Sequence, residues 1–355
     1  MIDEFLLHSF DIAKIPYKKD FPLAQKSTFK IGSTTDLFIS PESPEQFQSV
    51  VAASKAADEK FFILGGGSNI VFPDQPYQGI IISTEKLNNI LMTDDEIQPA
   101  PGDFLAQGNS LAQGDSPSPV DCPPQKNNLA LVTCQAGTPM SAFVSFCTKH
   151  NLSGTEEFAG LPGTVGGAVY MNARCFEKSI SDILYQTSFF TLQKGGKTKN
   201  FTENFDASQW AYKKSPFQTP SPESAPNPEQ EQKIILSATF VLTKKSPADH
   251  EKIESDCKKF IAQRLDKGHF KFPSAGSVFK NNHDFGKPSG KLIDECGLKG
   301  LQIGGAQIAP FHGNFIINIG HAKAQDVEAL VEVAKSKVKE KFNFDLEPEI
   351  IFLKN

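Results

Sequence analysis

The order of elements predicts a mixed α/β chain of two or three domains, which 355 residues are long enough to form. A capped helix is followed by an apolar strand, residues 61–64, that runs straight into Gly65, Gly66 and Gly67. A second glycine-rich run, 160–168, repeats that chemistry. Beyond Thr243 the texture changes to amphipathic helices, which predicts a separate, smaller domain.

Residues 27–40 alternate well enough to predict a strand pair turning near Gly32. Ser43-Pro44 offers an N-cap with proline at the first helical position, and Phe47, Val50, Val51 and Ala57 form the stripe of the helix that follows. Thr138-Pro139 opens a second helix carrying Phe143, Val144 and Cys147. A helix over about 249–266 has Ile253, Cys257, Phe260, Ile261 and Leu265 at core spacing. A short helix over 289–297 closes at Gly297 or Gly300, and Gln325-Asp326 opens a longer one to about Lys341. Residues 97–128 and 216–232 are rich in Pro, Gly, Ser, Gln, Asn or Glu and are expected to be mobile surface insertions.

Composition excludes several classes of function. A net charge of −5 gives no global field for nucleic acid or anionic lipid. The start of the chain has neither the basic nor the apolar region of a signal peptide, and no apolar run approaches the roughly 20 residues that span a bilayer. A cytoplasmic protein is therefore expected, and in that reducing compartment the six cysteines, scattered without a Cys-x-x-Cys pair, are expected to be free thiols. The seven histidines show no ligand spacing, so no metal is expected.

Consecutive glycines let the backbone approach a ligand without Cβ interference and present N–H groups to an anion. Two such loops in one chain make a dinucleotide the leading ligand. Neither loop has the Gly-x-Gly-x-x-Gly or Gly-Lys-Ser/Thr pattern, which argues against a Rossmann domain and a P-loop.

Six motifs in order resemble the UDP-N-acetylenolpyruvoylglucosamine reductase family, from about Thr28 to Phe352. They are Thr28-Phe29-Lys30-Ile31-Gly32; Leu64 to Asn69; Gly160 to Ala173; Pro273 to Asn281; Gly290-Lys291-Leu292-Ile293 with Gly297 to Gly300; and Leu346-Glu347-Pro348-Glu349. The resemblance implies an α+β fold: a two-subdomain FAD-binding fold of the vanillyl-alcohol-oxidase type, plus a smaller α/β substrate-binding domain. The expected division is 1–85, with 345–355 returning to it; 86–244, containing both insertions; and 245–344. The form implied lacks the extra tyrosine-bearing loop before the third domain.

The resemblance also implies a reaction. Hydride passes from NADPH by way of non-covalently held FAD to the vinyl carbon of UDP-N-acetylglucosamine enolpyruvate, giving UDP-N-acetylmuramate for peptidoglycan. Ser277 matches the proton donor and Glu349 the catalytic glutamate, a role that calls for a buried carboxyl. Gly65, Gly66, Gly67, Ser68, Asn69, Gly163, Thr164, Gly166, Gly167 and Ala168 match the cofactor-binding loops. Lys267, Asn281 and Tyr212 match substrate-binding positions. NADPH rather than NADH rests on the resemblance alone, and a monomer without nucleic-acid or membrane partners is expected.

The chain departs from the family at its third catalytic position. Tyr-Arg-x-Ser is here Tyr212-Lys213-Lys214-Ser215, so Lys213 keeps the charge but loses the planar fork that grips a carboxylate. Lys214 is the neighbouring alternative, facing the other way if the segment is extended. Met-Asn-Ala-Gly-Ala-Tyr-Gly is here Met171-Asn172-Ala173-Arg174-Cys175-Phe176-Glu177, which implies a reshaped loop in which Arg174 could compensate. His269 replaces a proline. Two alternatives stay open: an FAD-dependent alcohol or lactone oxidase of the same fold, and a slow or degenerate homologue that binds FAD and UDP-sugar.

Overall fold

The structure, a computed structural model, describes residues 2–93, 128–193, 196–218 and 232–355. The first insertion therefore lies outside the described residues except for Asn128, and the second except for its two ends.

The N-terminal part comprises α1 (Glu4–Ile12), β1 (Tyr17–Pro22), β2 (Thr34–Ile39), α2 (Pro44–Ala56), β3 (Phe61–Leu64), β4 (Ile70–Val71) and β5 (Tyr77–Ser83). Four strands form one sheet in the order β1-β2-β5-β3, with β1 antiparallel and the rest parallel. Ile80, Ile81 and Ile82 of central β5 are all fully buried, as a parallel strand covered on both faces requires. Ser43 caps α2 by accepting from the Gln46 N–H, and Phe47, Val50 and Val51 join Leu37, Ile80 and Ile82 in one core. The strand pair expected over 27–40 is not formed. Only 34–39 is a strand, and its antiparallel partner is β1, whose exposed Lys18, Lys19 and Asp20 mark it as a charged edge strand with little hydrophobic signal.

The middle part comprises β6 (Ile90–Thr93), β7 (Leu129–Gln135), α3 (Met140–Lys149), β8 (Leu152–Ser153), α4 (Val165–Tyr170), β9 (Arg174–Cys175), β10 (Lys178–Ser179), β11 (Leu184–Leu192), β12 (Thr198–Asn204) and β13 (Ile234–Lys244). Its antiparallel sheet runs β12-β11-β13-β7-β6, with β8 also on β13. Phe143 of α3 meets Phe240 of β13 with ring centroids 4.7 Å apart. Pro139, not Thr138, is the α3 N-cap, and it makes no side-chain cap bond. Phe217, expected in a mobile insertion, is buried with its ring 5.5 Å from Phe189 and 6.2 Å from Trp210. The second insertion is therefore anchored at its start by an aromatic core residue.

The last part comprises α5 (His250–Asp266), β14 (Ser274–Ser277), α6 (Ser289–Glu295), β15 (Gln302–Ile303), β16 (Ala306–Ile308), β17 (Phe315–Asn318), α7 (Ala324–Phe342) and β18 (Ile351–Phe352). An antiparallel sheet, β14-β17-β16-β15, shares a core with α6 and with Val327, Leu330, Val331, Ala334 and Val338 of α7. Asp74 of the first part caps α7 across the chain, accepting from the Ala324 and Gln325 N–H groups at 2.7 and 3.0 Å. The stripe expected on α5 is only half core: Ile253 and Cys257 are buried, Ile261 and Leu265 are exposed, and Arg264 is buried instead. β18 returns to pair in parallel with β4. Among the described residues the five cysteines are free thiols, and no helix is long and apolar enough to cross a membrane.

Candidate active site

The two glycine loops, separated by the whole of the middle sheet's first half in sequence, meet in space. A Cβ on Gly66 would lie 2.5 Å from the Gly163 Cα, and one on Gly67 would collide with the Lys26 carbonyl. Only glycine permits this approach. Thr164 caps α4 by accepting from the Gly167 N–H at 3.3 Å, while Gly166 lets that helix pack directly on Ala136. Among the described residues the backbone N–H groups of Gly66, Gly67, Ser68, Gly163 and Thr164 donate to no protein acceptor. Their residues line one cavity, where a pyrophosphate would supply oxygens for both loops at once. The residues present therefore fit FAD.

Both loops line one cavity of about 1180 Å³, at the upper end of or beyond the usual range for a single small ligand. Every site residue expected from the sequence reaches it: Ser277, Glu349 and Lys213; Gly65 to Asn69; Gly163, Thr164, Gly166, Gly167 and Ala168; and Lys267, Asn281 and Tyr212. Arg174 lines it too; Lys214 does not.

The end of the cavity holding Lys213, Glu349 and Ser277 is assembled from three distant stretches. Lys213 sits in a tight Ala211–Lys214 turn with φ +57°, so the segment is not extended, and of the two lysines only Lys213 lines the cavity. Asn172 donates to the Ala211 carbonyl at 2.8 Å, and Ser215 donates to the Tyr170 carbonyl at 2.7 Å, fastening the turn to the end of α4. Lys213 Nζ lies 2.6 Å from Glu349 Oε1, with the two side chains 12% and 10% exposed. Glu349 is held by its backbone: its N–H donates to the Val278 carbonyl at 2.7 Å, and its carbonyl accepts from Asn69 Nδ2 at 3.1 Å. Asn69, expected only to touch the cofactor, thus also anchors the backbone of Glu349.

Ser277 ends β14 just after Gly276, whose φ of +78° makes the turn that presents it. The following backbone is clamped by Asn314, which is buried and was not foreseen. Its Oδ1 accepts from the Phe279 N–H at 2.9 Å and its Nδ2 donates to the Phe279 carbonyl at 2.8 Å. Asn281 Oδ1 accepts from the Ser289 N–H at 3.0 Å, so that oxygen secures α6, while the Asn281 N–H donates to the Tyr212 hydroxyl at 3.4 Å.

Arg264 and Phe176 were also missed. Arg264 Nε donates to the Ala159 carbonyl at 2.9 Å and Nη2 to that of Glu157 at 3.3 Å, bracing the second glycine loop from α5. The available signal was a cation at the next core position after Ile253, Cys257 and Phe260. Burial pulls the nearby His269 imidazole down to about 4, with the charges of Arg264, His312 and Lys267 adding to the effect. Burial lowers His312 as well, so the cavity holds two rings that are neutral at pH 7. The described residues contain no cluster of His, Cys, Asp and Glu able to hold a metal.

The C-terminal domain profile of UDP-N-acetylenolpyruvoylglucosamine reductase matches residues 268–353, and an FAD-binding-domain profile matches 35–102. The reductase of that name from Treponema denticola is 39% identical over 331 residues, covering 93% of this chain and 91% of the relative. The chain belongs to this family. Reductases of the same name from Treponema pallidum and Borreliella burgdorferi are 34% and 35% identical, each over at least 93% of this chain and 92% of their own lengths. The crystal structure of the Thermus caldophilus family member superposes with a TM-score of 0.63 at 24% identity, covering 96% of this chain and 99% of that one. The expected FAD-binding architecture with its added C-terminal unit is therefore the architecture found.

Proposed function

We propose that this chain is an NADPH-dependent flavoenzyme that reduces the enolpyruvyl ether of UDP-N-acetylglucosamine enolpyruvate to UDP-N-acetylmuramate, a step of peptidoglycan synthesis. The observation that carries this reading is the single cavity joining both glycine loops to the Lys213–Glu349 pair and Ser277. Gly65 to Asn69 with Gly163, Thr164, Gly166, Gly167 and Ala168 would hold FAD, which when bound supplies two-electron transfer between NADPH and the sugar nucleotide.

The protein's own groups manage charge and the proton. As hydride reaches the vinyl carbon, negative charge builds on the ether-bearing carbon and its carboxylate. The Lys213 ammonium offsets that charge, shared between the substrate carboxylate and Glu349. The Ser277 hydroxyl proton passes to the ether-bearing carbon, completing the saturated lactyl ether, and solvent returns a proton to the serine oxygen. Glu349 holds the Lys213 ammonium at the carboxylate end, and Tyr212, Asn281 and Lys267 bind the sugar nucleotide. The division into 1–85 with 345–355, 86–244 and 245–344 belongs to the same proposal, as does a cytoplasmic monomer.

The test is NADPH consumption by the purified protein with and without the enolpyruvyl substrate, with the product identified by mass. Substrate-dependent consumption and a gain of two hydrogens are expected. A flavin that NADPH does not reduce, but that an alcohol or lactone reduces and oxygen reoxidises, would favour the oxidase alternative.

A further inference from the structure

The hairpin 174–179 places residues in its turn that the left-handed conformation there does not favour. Its two-residue turn places Phe176 at φ +48° and Glu177 at φ +68°, between the paired strands β9 and β10. This left-handed conformation suits a hairpin's twist but is normally filled by Asn-Gly, and a bulky aromatic there is an outlier that surrounding contacts must hold. The contacts are specific. The Phe176 ring packs on Phe260 of α5 with centroids 4.7 Å apart. The Arg264 guanidinium lies 5.0 Å from its centroid and the Lys267 ammonium 5.3 Å. Those two cations are three residues apart at the end of one helix and repel each other, and a ring quadrupole facing both offsets the repulsion. Phe176, Arg264 and Lys267 all line the cavity.

We propose that Phe176 is a positioning residue: its ring holds Lys267 in the cavity wall, where the ammonium receives the anionic diphosphate of the sugar nucleotide. The inference rests on the proposed function for the identity of the ligand. It assigns the reshaped loop a task, joining the middle part of the chain to α5 so that the cation is placed before substrate arrives. Arg264 is spent on the Ala159 and Glu157 carbonyls, which leaves Lys267 as the cation that the ring presents.

The probe is UDP, titrated calorimetrically against wild-type protein, Phe176→Leu, Phe176→Tyr, Lys267→Met and Phe176→Leu/Lys267→Met. Removing the ring should weaken UDP binding about 3- to 10-fold, and tyrosine should restore it. The KM for the enolpyruvyl substrate should rise by a similar factor while kcat moves by less than about twofold. In the Lys267→Met background the leucine change should have no further effect, which a loss of general packing could not produce. Unchanged UDP affinity in Phe176→Leu, or an equal loss with and without Lys267, overturns the proposal. Wild-type protein that binds UDP but does not reduce the enolpyruvyl ether would overturn the functional reading and leave the positioning result intact; protein that binds no UDP overturns both.

Discussion

Replacing Lys213 by methionine tests the chemistry most severely, because it removes charge while keeping chain length. In the protein without substrate, the ammonium and the Glu349 carboxylate are 2.6 Å apart and nearly covered. At an effective dielectric near 20, unit charges at that separation attract by roughly 6 kcal/mol, of which desolvating both groups cancels most. Removing one partner of a fully buried pair costs about 3–5 kcal/mol. Here the pair lines a cavity that water can enter, so a stability loss of about 1–3 kcal/mol is expected, read from denaturant midpoints at constant slope. The effect on catalysis should be larger: a fall of ~10²–10³ in kcat, about 3–4 kcal/mol of transition-state stabilisation. Lys213→Arg should go the other way and raise turnover, since the guanidinium grips a carboxylate with two parallel bonds. Stopped-flow reoxidation of the flavin by substrate is the assay. Methionine leaving that rate within tenfold of wild type, or arginine failing to raise it, would refute the role given to Lys213.

Further outcomes follow from the packing around the site. Asn314→Ala orphans the Phe279 N–H and carbonyl in the core and should cost about 2–4 kcal/mol of stability, with Ser277 displaced and the substrate half-reaction slowed more than flavin reduction. Glu177→Gly relieves a left-handed residue whose carboxylate, paired with Arg174, is exposed; a gain of about 0.5–1 kcal/mol in unfolding free energy is expected. His269 is neutral when folded, with its value pulled from 6.5 to about 4, so the unfolded chain binds the extra proton between those values. Stability should therefore be intact above pH 6.5 and decline as pH falls toward 4, by about 1–2 kcal/mol once solvent screening is allowed for. A His269→Gln protein should show a flatter melting temperature over that interval.

What was legible in the sequence was local or carried by residue type. Ser43-Pro44 announced α2, the 61–64 run announced β3, and the glycines announced a close backbone approach without showing that the two loops touch each other. The candidate site was legible because its motifs came in a recognisable order. The misses share a cause: tertiary pairing decided them. β1 is an edge strand whose charged residues hide it, and Arg264 is buried because two backbone carbonyls, 105 and 107 residues away in sequence, receive it. Phe217 read as part of a polar insertion until Phe189 and Trp210 supplied its pocket. The motif already favoured Lys213 over Lys214, but the turn that sets the two lysines apart was not legible, because no lysine signals a positive φ.

The most direct measurement is an anaerobic stopped-flow flavin spectrum of wild-type protein and Ser277→Ala, first with NADPH and then with UDP-N-acetylglucosamine enolpyruvate. The account predicts bleaching of both proteins by NADPH, rapid return of the oxidised spectrum in wild type on adding substrate, and a stalled return in Ser277→Ala. A wild-type flavin that stays bleached in the presence of substrate, or an alanine variant that reoxidises at the wild-type rate, would contradict it.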